Sequence, residues 1–175
     1  AGDAHPVLLA VGAGVEVESA ARGTRTVPAA DFFTGVKTSA LEPDELIAAV
    51  LLPPARGPQQ FAKVGTRNAM VIAVTSFGLA LHPDEGRVGA AIGSAAPTPR
   101  HAPDAEDFAA EALTDLWQSR RELPLGLAER FGDLVAAAAQ PIDDVRGTAA
   151  YRRHALSVLA GRTLRWAWDD YRKAA

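Results

Sequence analysis

At 175 residues the chain has room for one sizeable core, or for a fragment plus a small domain, since domains typically run to roughly 100–200 residues. Its 48% hydrophobic and 22% charged residues exclude disorder over most of the length, and a net charge of −3 with no dense Lys/Arg block excludes an electrostatic footprint for nucleic acid or an anionic membrane. The lack of cysteine excludes disulfides, thiolate metal sites, Cys nucleophiles and iron–sulfur ligation within this chain.

The opening Ala1-Gly2-Asp3-Ala4-His5-Pro6 runs straight into the apolar Val7 to Val11, with no polar tail and no basic n-region, which reads as a chain that begins inside a fold. Pro6 fits the first turn of a short buried helix over Val7 to Val11 that ends near Gly12 or Gly14. Val15 to Glu18 and Thr24 to Val27 both alternate around an Arg22-Gly23 turn, a hairpin with one wet face. Pro28 to Phe33 is a short turn or helical step. The Glu42-Pro43-Asp44-Glu45 turn introduces Leu46 to Leu52, a continuous apolar run that predicts a buried strand. Pro53 to Pro58, rich in Pro and Gly, reads as the linker and places a domain boundary between 1–55 and 56–175.

Beyond it, Gln60 to Val64, Val71 to Leu81 and Val88 to Ser94 predict a three-stranded antiparallel sheet. Met70 to Leu81 also fits a helix by period, but its Val, Ile and Thr content favours strand. Pro97-Thr98-Pro99 ends the sheet. Three helices follow: Pro103 to about Leu113, Pro124 to Ala139, and Ala149 to about Lys173. In the last, Thr148 is the N-cap, and Ala155, Leu156, Leu159, Thr163 and Trp166 form a stripe that should pack on the sheet. The fold class is α+β. No apolar run approaches the ~20 residues needed to span a bilayer, and the expected location is cytoplasmic.

Standard catalytic constellations are missing: there is no GxSxG, HExxH or Walker loop. His5, His82, His101 and His154 are spread without metal-ligand spacing. Gly12-Ala13-Gly14 follows a helix and not a strand, so it is a turn and no dinucleotide loop. The most specific stretch is Pro141 to His154, Pro-Ile-Asp-Asp-Val-Arg-Gly-Thr-Ala-Ala-Tyr-Arg-Arg-His. Asp143, Asp144 and Arg146 can satisfy the backbone and one another in a turn, Gly147 frees the backbone, and Thr148 caps the helix.

That stretch resembles the closing signature of the C-terminal domain of flavoprotein subunits in the molybdenum hydroxylases, the carbon monoxide dehydrogenase and xanthine dehydrogenase family. Further stretches agree in the expected order. Ala1-Gly2-Asp3 resembles the tail of a Ser-Pro-Ala-x-Asp segment, Thr24 to Phe33 an Arg-Thr-Val-x-x-x-x-Phe-Phe hairpin, and Glu45-Leu46-Ile47 the strand after it. Phe61 to Arg67 with Ile72 to Val74 resembles the start of the C-terminal domain, and Ser94 to Arg100 the end of its sheet. The resemblance implies that 1–55 is the remainder of the second subdomain of a PCMH-type FAD-binding domain. It implies that 56–175 is the flavoprotein C-terminal domain, a three-stranded antiparallel sheet on a helical bundle.

Carried over by position, the resemblance implies cofactor-binding roles for Asp3, Ile47 and Lys63, with no catalytic residue and no metal ligand in the chain. A carboxylate can accept from sugar or ribityl hydroxyls, an apolar strand can edge the ring, and a cation favours a negatively charged reduced flavin. The structural alternatives are a frayed terminus for Asp3, core for Ile47 and a solvated strand residue for Lys63. Similar subunits carry FAD and relay electrons from 2Fe-2S centres to NAD, oxygen or a quinone. The iron–sulfur clusters and the molybdopterin lie on partner subunits, and the N-terminal half of the FAD domain is a third partner. In two places the sequence departs from the family. Val71 stands where an acidic residue is common, and no Gly-rich loop that would cradle the pyrophosphate is present. The alternative function is a non-catalytic assembly or scaffold module that has lost FAD.

Overall fold

The computed structural model of the chain describes residues 2–68 and 70–174. Ala1, which opens the Ala1-Gly2-Asp3 segment, lies outside the described residues. The first element is a short helix, α1 (Ala4–Ala10), with Pro6 in its first turn and a closing backbone bond from Ala13 N–H to the Leu8 carbonyl at 2.9 Å. Strands β1 (Gly14–Ser19) and β2 (Gly23–Pro28) form the expected hairpin, in the register Val15 opposite Val27 and Val17 opposite Arg25. A four-residue helix, α2 (Ala29–Phe32), turns Phe32 back over the hairpin, where it joins Val15, Val17 and Val27 in a small buried cluster.

Strand β3 (Leu46–Leu51) pairs antiparallel with β1 and completes a three-stranded sheet in the order β2-β1-β3, with a bulge between Glu16 and Val17. The continuous apolar run predicts a strand buried on both faces, and here the structure corrects the expectation. β3 is an edge strand, with Leu46 76% and Ile47 52% exposed, because among the described residues no layer covers it.

The second sheet is built from β4 (Gln59–Val64), β5 (Thr75–His82), β6 (Arg87–Gly93) and a two-residue strand, β7 (Arg100–His101), in antiparallel order β4-β5-β6-β7. The three long strands are those the sequence predicts, although β5 begins at Thr75 and not at Val71; β7 is the extra element. A single 3-10 turn, Pro83–Glu85, joins β5 to β6.

One face of this sheet carries Phe77, Leu79, Leu81, Val88, Ala90 and Ile92, and the helices α3 (Pro103–Leu113), α5 (Leu127–Ala138) and α6 (Ala149–Lys173) cover it. The short α4 (Leu116–Ser119), absent from the sequence reading, adds Trp117 beside Trp168 and Tyr171. The predicted stripe on α6 is right for Ala155, Leu156 and Thr163 but drifts at its end. Trp166 is 48% exposed, and Leu164, Ala167 and Trp168 are the buried residues there. The buried line itself keeps i+3 and i+4 spacing through Ala160, Leu164, Ala167 and Trp168, and Trp166 falls one position short of it.

The other face carries Gly78, Ala80, Gly89, Ala91 and Gly93, small residues that let α1 lie with its backbone directly on the sheet. A Cβ at Gly89 would come within 2.0 Å of the Ala10 carbonyl oxygen, and one at Gly78 within 2.8 Å of the Pro6 carbonyl oxygen. The buried His82 Nε2 also lies 3.2 Å from the Ala10 carbonyl. The second sheet is therefore a middle layer, held between α1 from the first third of the chain and the helices of the last.

Candidate functional site

Lys63 stands opposite Ser76, and Ser76 opposite Gly93, so these three residues line up across β4, β5 and β6 on the face that α1 covers. Asp3 occupies the N-cap of α1 but makes no side-chain capping bond. Its carboxylate is turned aside to accept from the Lys63 ammonium, which also donates to the Val71 carbonyl at 3.1 Å. Two of the three predicted site residues, 60 positions apart, thus meet as an ion pair, with the Lys63 side chain 28% and the Asp3 side chain 44% exposed. Ile47 does not join them: it sits on β3 in the other sheet, apolar and half exposed.

Val71 stands where the resemblance implies an acidic residue, and its backbone carbonyl accepts from the Lys63 ammonium. Two buried hydroxyls at the same end of β5, Thr75 Oγ1 and Ser76 Oγ, have no hydrogen-bond partner among the described residues. Burial of an unpaired hydroxyl costs free energy, so this strand end carries polar capacity that the chain itself does not use.

A cleft of about 380 Å³, which neither Asp3 nor Lys63 lines, is bounded among others by Gly2, His5, Phe33, Lys37, Gly93 and Ser94. His5 packs on Phe33 with ring centroids 4.4 Å apart, and burial holds its imidazole below the ordinary 6.5. Lys37 and Ser94, both at φ 59° although neither is glycine, face this cleft from two different loops. Sequence reasoning did not find the cleft. Its signal was present, however: three of the stretches that carry the family resemblance contribute to its lining, through Gly2, through Phe33, and through Ser94 and Ala96 to Pro99.

The Asp143 to His154 stretch lies outside this site and shapes it from behind. Asp144 accepts from Arg146 Nη2 at 2.8 Å, from the Arg146 backbone N–H at 2.8 Å and from Arg152 Nη2 at 2.6 Å. The Arg146 bonds, then Arg152, hold its carboxyl well below the ordinary carboxylate range. Thr148 caps α6 by accepting from the Tyr151 N–H at 3.1 Å, and Asp143 accepts from Ala149 N–H. The residue that sequence reasoning missed is Arg152. It is 3% exposed, and its Nη1 donates to the Ser94 carbonyl at 2.8 Å, tying the start of α6 to the loop that borders the cleft. The turn is thus an internal clamp, with Ile142 and Val145 left exposed beside it.

The residues present fit one part of a flavin nucleotide. A carboxylate, an ammonium and an apolar strand suit hydroxyls and a ring that gains negative charge, whereas no Gly-rich loop for the diphosphate occurs among the described residues. Also among the described residues, no group of three or more His, Asp or Glu could hold a metal ion, and no helix is long and apolar enough to cross a membrane.

Comparison with known proteins gives two family matches: the FAD binding domain in molybdopterin dehydrogenase over residues 1–55, and the CO dehydrogenase flavoprotein C-terminal domain over residues 60–167. The nicotine 6-hydroxylase medium subunit of Paenarthrobacter nicotinovorans is 29% identical over 167 residues, covering 94% of this chain and 55% of its own. Among solved structures, quinoline 2-oxidoreductase from Pseudomonas putida 86 matches with a TM-score of 0.79 at 23% identity, over 97% of this chain and 58% of that one. Reconstituted CO dehydrogenase from Oligotropha carboxidovorans matches with a TM-score of 0.77 at 24% identity, over 96% and 57%. At those identities the structural likeness speaks for the fold alone. The chain spans little more than half the length of the relatives it matches.

Proposed function

From the premise that the chain belongs to the CO dehydrogenase flavoprotein C-terminal domain family, we propose that it is part of the FAD-carrying subunit of a molybdenum hydroxylase. In this reading residues 1–55 are the end of the FAD-binding domain, 56–175 are the C-terminal domain, and the protein works in the cytoplasm. FAD, when bound, supplies the two-electron chemistry that links single-electron iron–sulfur centres to an acceptor such as NAD, oxygen or a quinone. The 2Fe-2S clusters and the molybdopterin are on partner subunits, and hydroxylation takes place there.

The observation that supports this reading best is the Asp3–Lys63 pair, because it joins a residue of the first family match to a residue of the second. The Asp3 carboxylate keeps the Lys63 ammonium in place and can accept from cofactor hydroxyls. The Lys63 ammonium would favour the negative charge that a reduced ring gains, and Ile47 would offer an apolar edge. The test is the visible absorbance of flavin in the 175-residue chain and in a product extended upstream along its own reading frame. Flavin in the extended product is the expected result. In that product Lys63→Ala should weaken flavin binding about tenfold, the worth of one charge-assisted hydrogen bond, and shift the potential negative. Unchanged affinity and potential would remove Lys63 from the site.

The second reading, an assembly module without FAD, is favoured by one observation: the described residues offer no loop for the diphosphate. An extended product that purifies colourless and stays colourless when FAD is added would establish it over the first.

A further inference from the structure

The cleft between Phe33 and Pro99 has two walls, and the chain's own hydrogen bonds hold each of them in place. One wall is the loop after α2, where Thr38 N–H donates to the Gly35 carbonyl at 3.2 Å and Ala40 N–H to the Phe32 carbonyl at 2.9 Å. The other is the run Ala96-Pro97-Thr98-Pro99, stiffened by its prolines. It is anchored from behind, since Arg152 Nη1 donates to the Ser94 carbonyl at 2.8 Å and Gln140 N–H to the Ala95 carbonyl at 2.9 Å. Lys37 in the first wall and Ser94 at the foot of the second are both held at φ 59°, a costly conformation that ligand-binding loops often keep.

The lining is chemically one-sided. Phe33, Ala96, Pro97 and Pro99 offer apolar surface, while Lys37, Thr38, Ser39 and Thr98 offer an ammonium and hydroxyl donors. No carboxylate lines the cleft. Burial holds His5 below its ordinary 6.5 and so neutral at pH 7, which leaves Lys37 as the one positive charge among the lining side chains. A dinucleotide asks for more than this, because its two phosphates need neutralising and its ribose hydroxyls usually donate to a carboxylate. The volume of about 380 Å³ also falls near the lower end of the roughly 300–1,000 Å³ of small-molecule sites. It has room for one ring system. An uncharged ring that carries carbonyl oxygens matches both the apolar walls and the surplus of donors.

The position of the cleft gives such a ring a use. Gly93 lines the cleft and is third in the cross-strand row Lys63–Ser76–Gly93, two strand spacings or roughly 10 Å from Lys63. Gly2, which also lines it, adjoins Asp3. A flavin held by the Asp3–Lys63 pair would have this cleft beside it.

We propose that the cleft binds a quinone, with its ring between Phe33 and the 96–99 wall and one carbonyl oxygen accepting from the Lys37 ammonium. That the ligand is an electron acceptor rests on the flavoprotein reading above. That it is a quinone and not a dinucleotide rests on the lining.

The probe is duroquinone, whose fully methylated ring resists addition of the Lys37 amine. It is titrated by NMR into the isotope-labelled 175-residue chain and into the product extended upstream. The expected result in both is a saturable shift of the Thr38, Ser39 and Thr98 amide signals, with NAD binding more weakly. Lys37→Asn removes the ammonium but keeps a residue that tolerates positive φ, and it should weaken duroquinone binding about tenfold, the worth of one charge-assisted hydrogen bond. Lys37→Arg should restore most of that loss. Unmoved β5 signals show that both variants fold. Absence of a saturable shift overturns the proposal, as does unchanged affinity in Lys37→Asn. NAD binding at least as tight as that of duroquinone overturns it too, because the site then takes a dinucleotide. Binding that the 175-residue chain shows and the extended product lacks has the same force, because the upstream segment then fills the cleft. Flavin absorbance is read separately. Duroquinone bound by an extended product without flavin keeps the cleft and sinks the flavin reading, whereas flavin without duroquinone binding does the reverse.

Discussion

β3 and β5 are strands of similar apolar character with opposite surroundings. In β5, Thr75-Ser-Phe-Gly-Leu-Ala-Leu-His82, every residue is buried; in β3, Leu46-Ile-Ala-Ala-Val-Leu51, none is. Composition fixes that a strand should be covered on both faces, but not which part of the polypeptide does the covering. For β5 the cover lies in the same chain, with α6 on one face and α1 on the other. Among the described residues no element covers β3, which lies in the part of the chain where the FAD-domain match ends.

The largest expected difference follows from the β5 side. Phe131 on α5 is fully buried and meets Phe77 of β5 edge to face, with centroids 6.1 Å apart. Phe131→Ala should cost about 3–5 kcal/mol, the range for a large aromatic removed from a packed core. A denaturant melt of the 175-residue chain measures it, and a cost below about 1 kcal/mol would mean that the helical layer is not packed as described.

The α1 side of the same sheet gives the next effect. Gly89→Ala would place a methyl group 2.0 Å from a backbone carbonyl of α1, with no flexible side chain to move aside. The helix must lift, at about 1–3 kcal/mol for an overpacked contact. Because α1 presents Asp3, the displacement should also loosen Lys63, so the extended product should lose flavin affinity along with stability. Loss of stability alone would separate α1 packing from the site.

Most of the architecture was legible because local signals agreed with one another. The hairpin showed its alternation, Thr148 its capping role, and α6 the length of its helical composition. The Asp3–Lys63 pair was legible only as two separate family positions; that they touch depends on α1 lying across the sheet, and the small residues Gly78, Ala80, Gly89 and Ala91 give that away only once the sheet register is known. Arg152 was hidden for a similar reason. A buried arginine reads as a surface one until its partners, Asp144 and the Ser94 carbonyl, are brought together from 8 and 58 residues away. The cleft is made of loops, whose course periodicity does not encode.

Acid should act on the two regions through different carboxylates. Glu45 accepts from Arg25 at 2.7 and 2.8 Å and from the Glu42 backbone N–H at 2.9 Å, which lowers its pKa from 4.5 to about 2. A depressed carboxylate stabilises the fold fully above its unfolded value and loses that contribution as the pH falls. The Glu45 contribution is therefore lost between about pH 4.5 and 2. Asp144, also depressed, acts in the same direction at the start of α6. Glu45→Gln should remove the acid-induced rise in amide exchange over β1 to β3 while leaving that of α6 in place. If both regions keep their acid response, the Arg25–Glu45 clamp does not hold the first sheet.

The smallest effect is expected where the sequence looks most like core. Ile47→Thr trades a half-exposed apolar side chain for a β-branched polar one that the strand still accepts. In the 175-residue chain it should change stability by no more than about 0.5 kcal/mol, as at other exposed positions. Leu79→Ser in β5, by contrast, removes a side chain that is 2% exposed and leaves a hydroxyl without a partner, so it should cost several times as much. In the extended product loaded with FAD the two variants should draw closer, because the proposed flavin site gives Ile47 an apolar contact that Thr would lose. An Ile47→Thr cost that stays near zero there, with flavin affinity unchanged, would remove Ile47 from the proposed site.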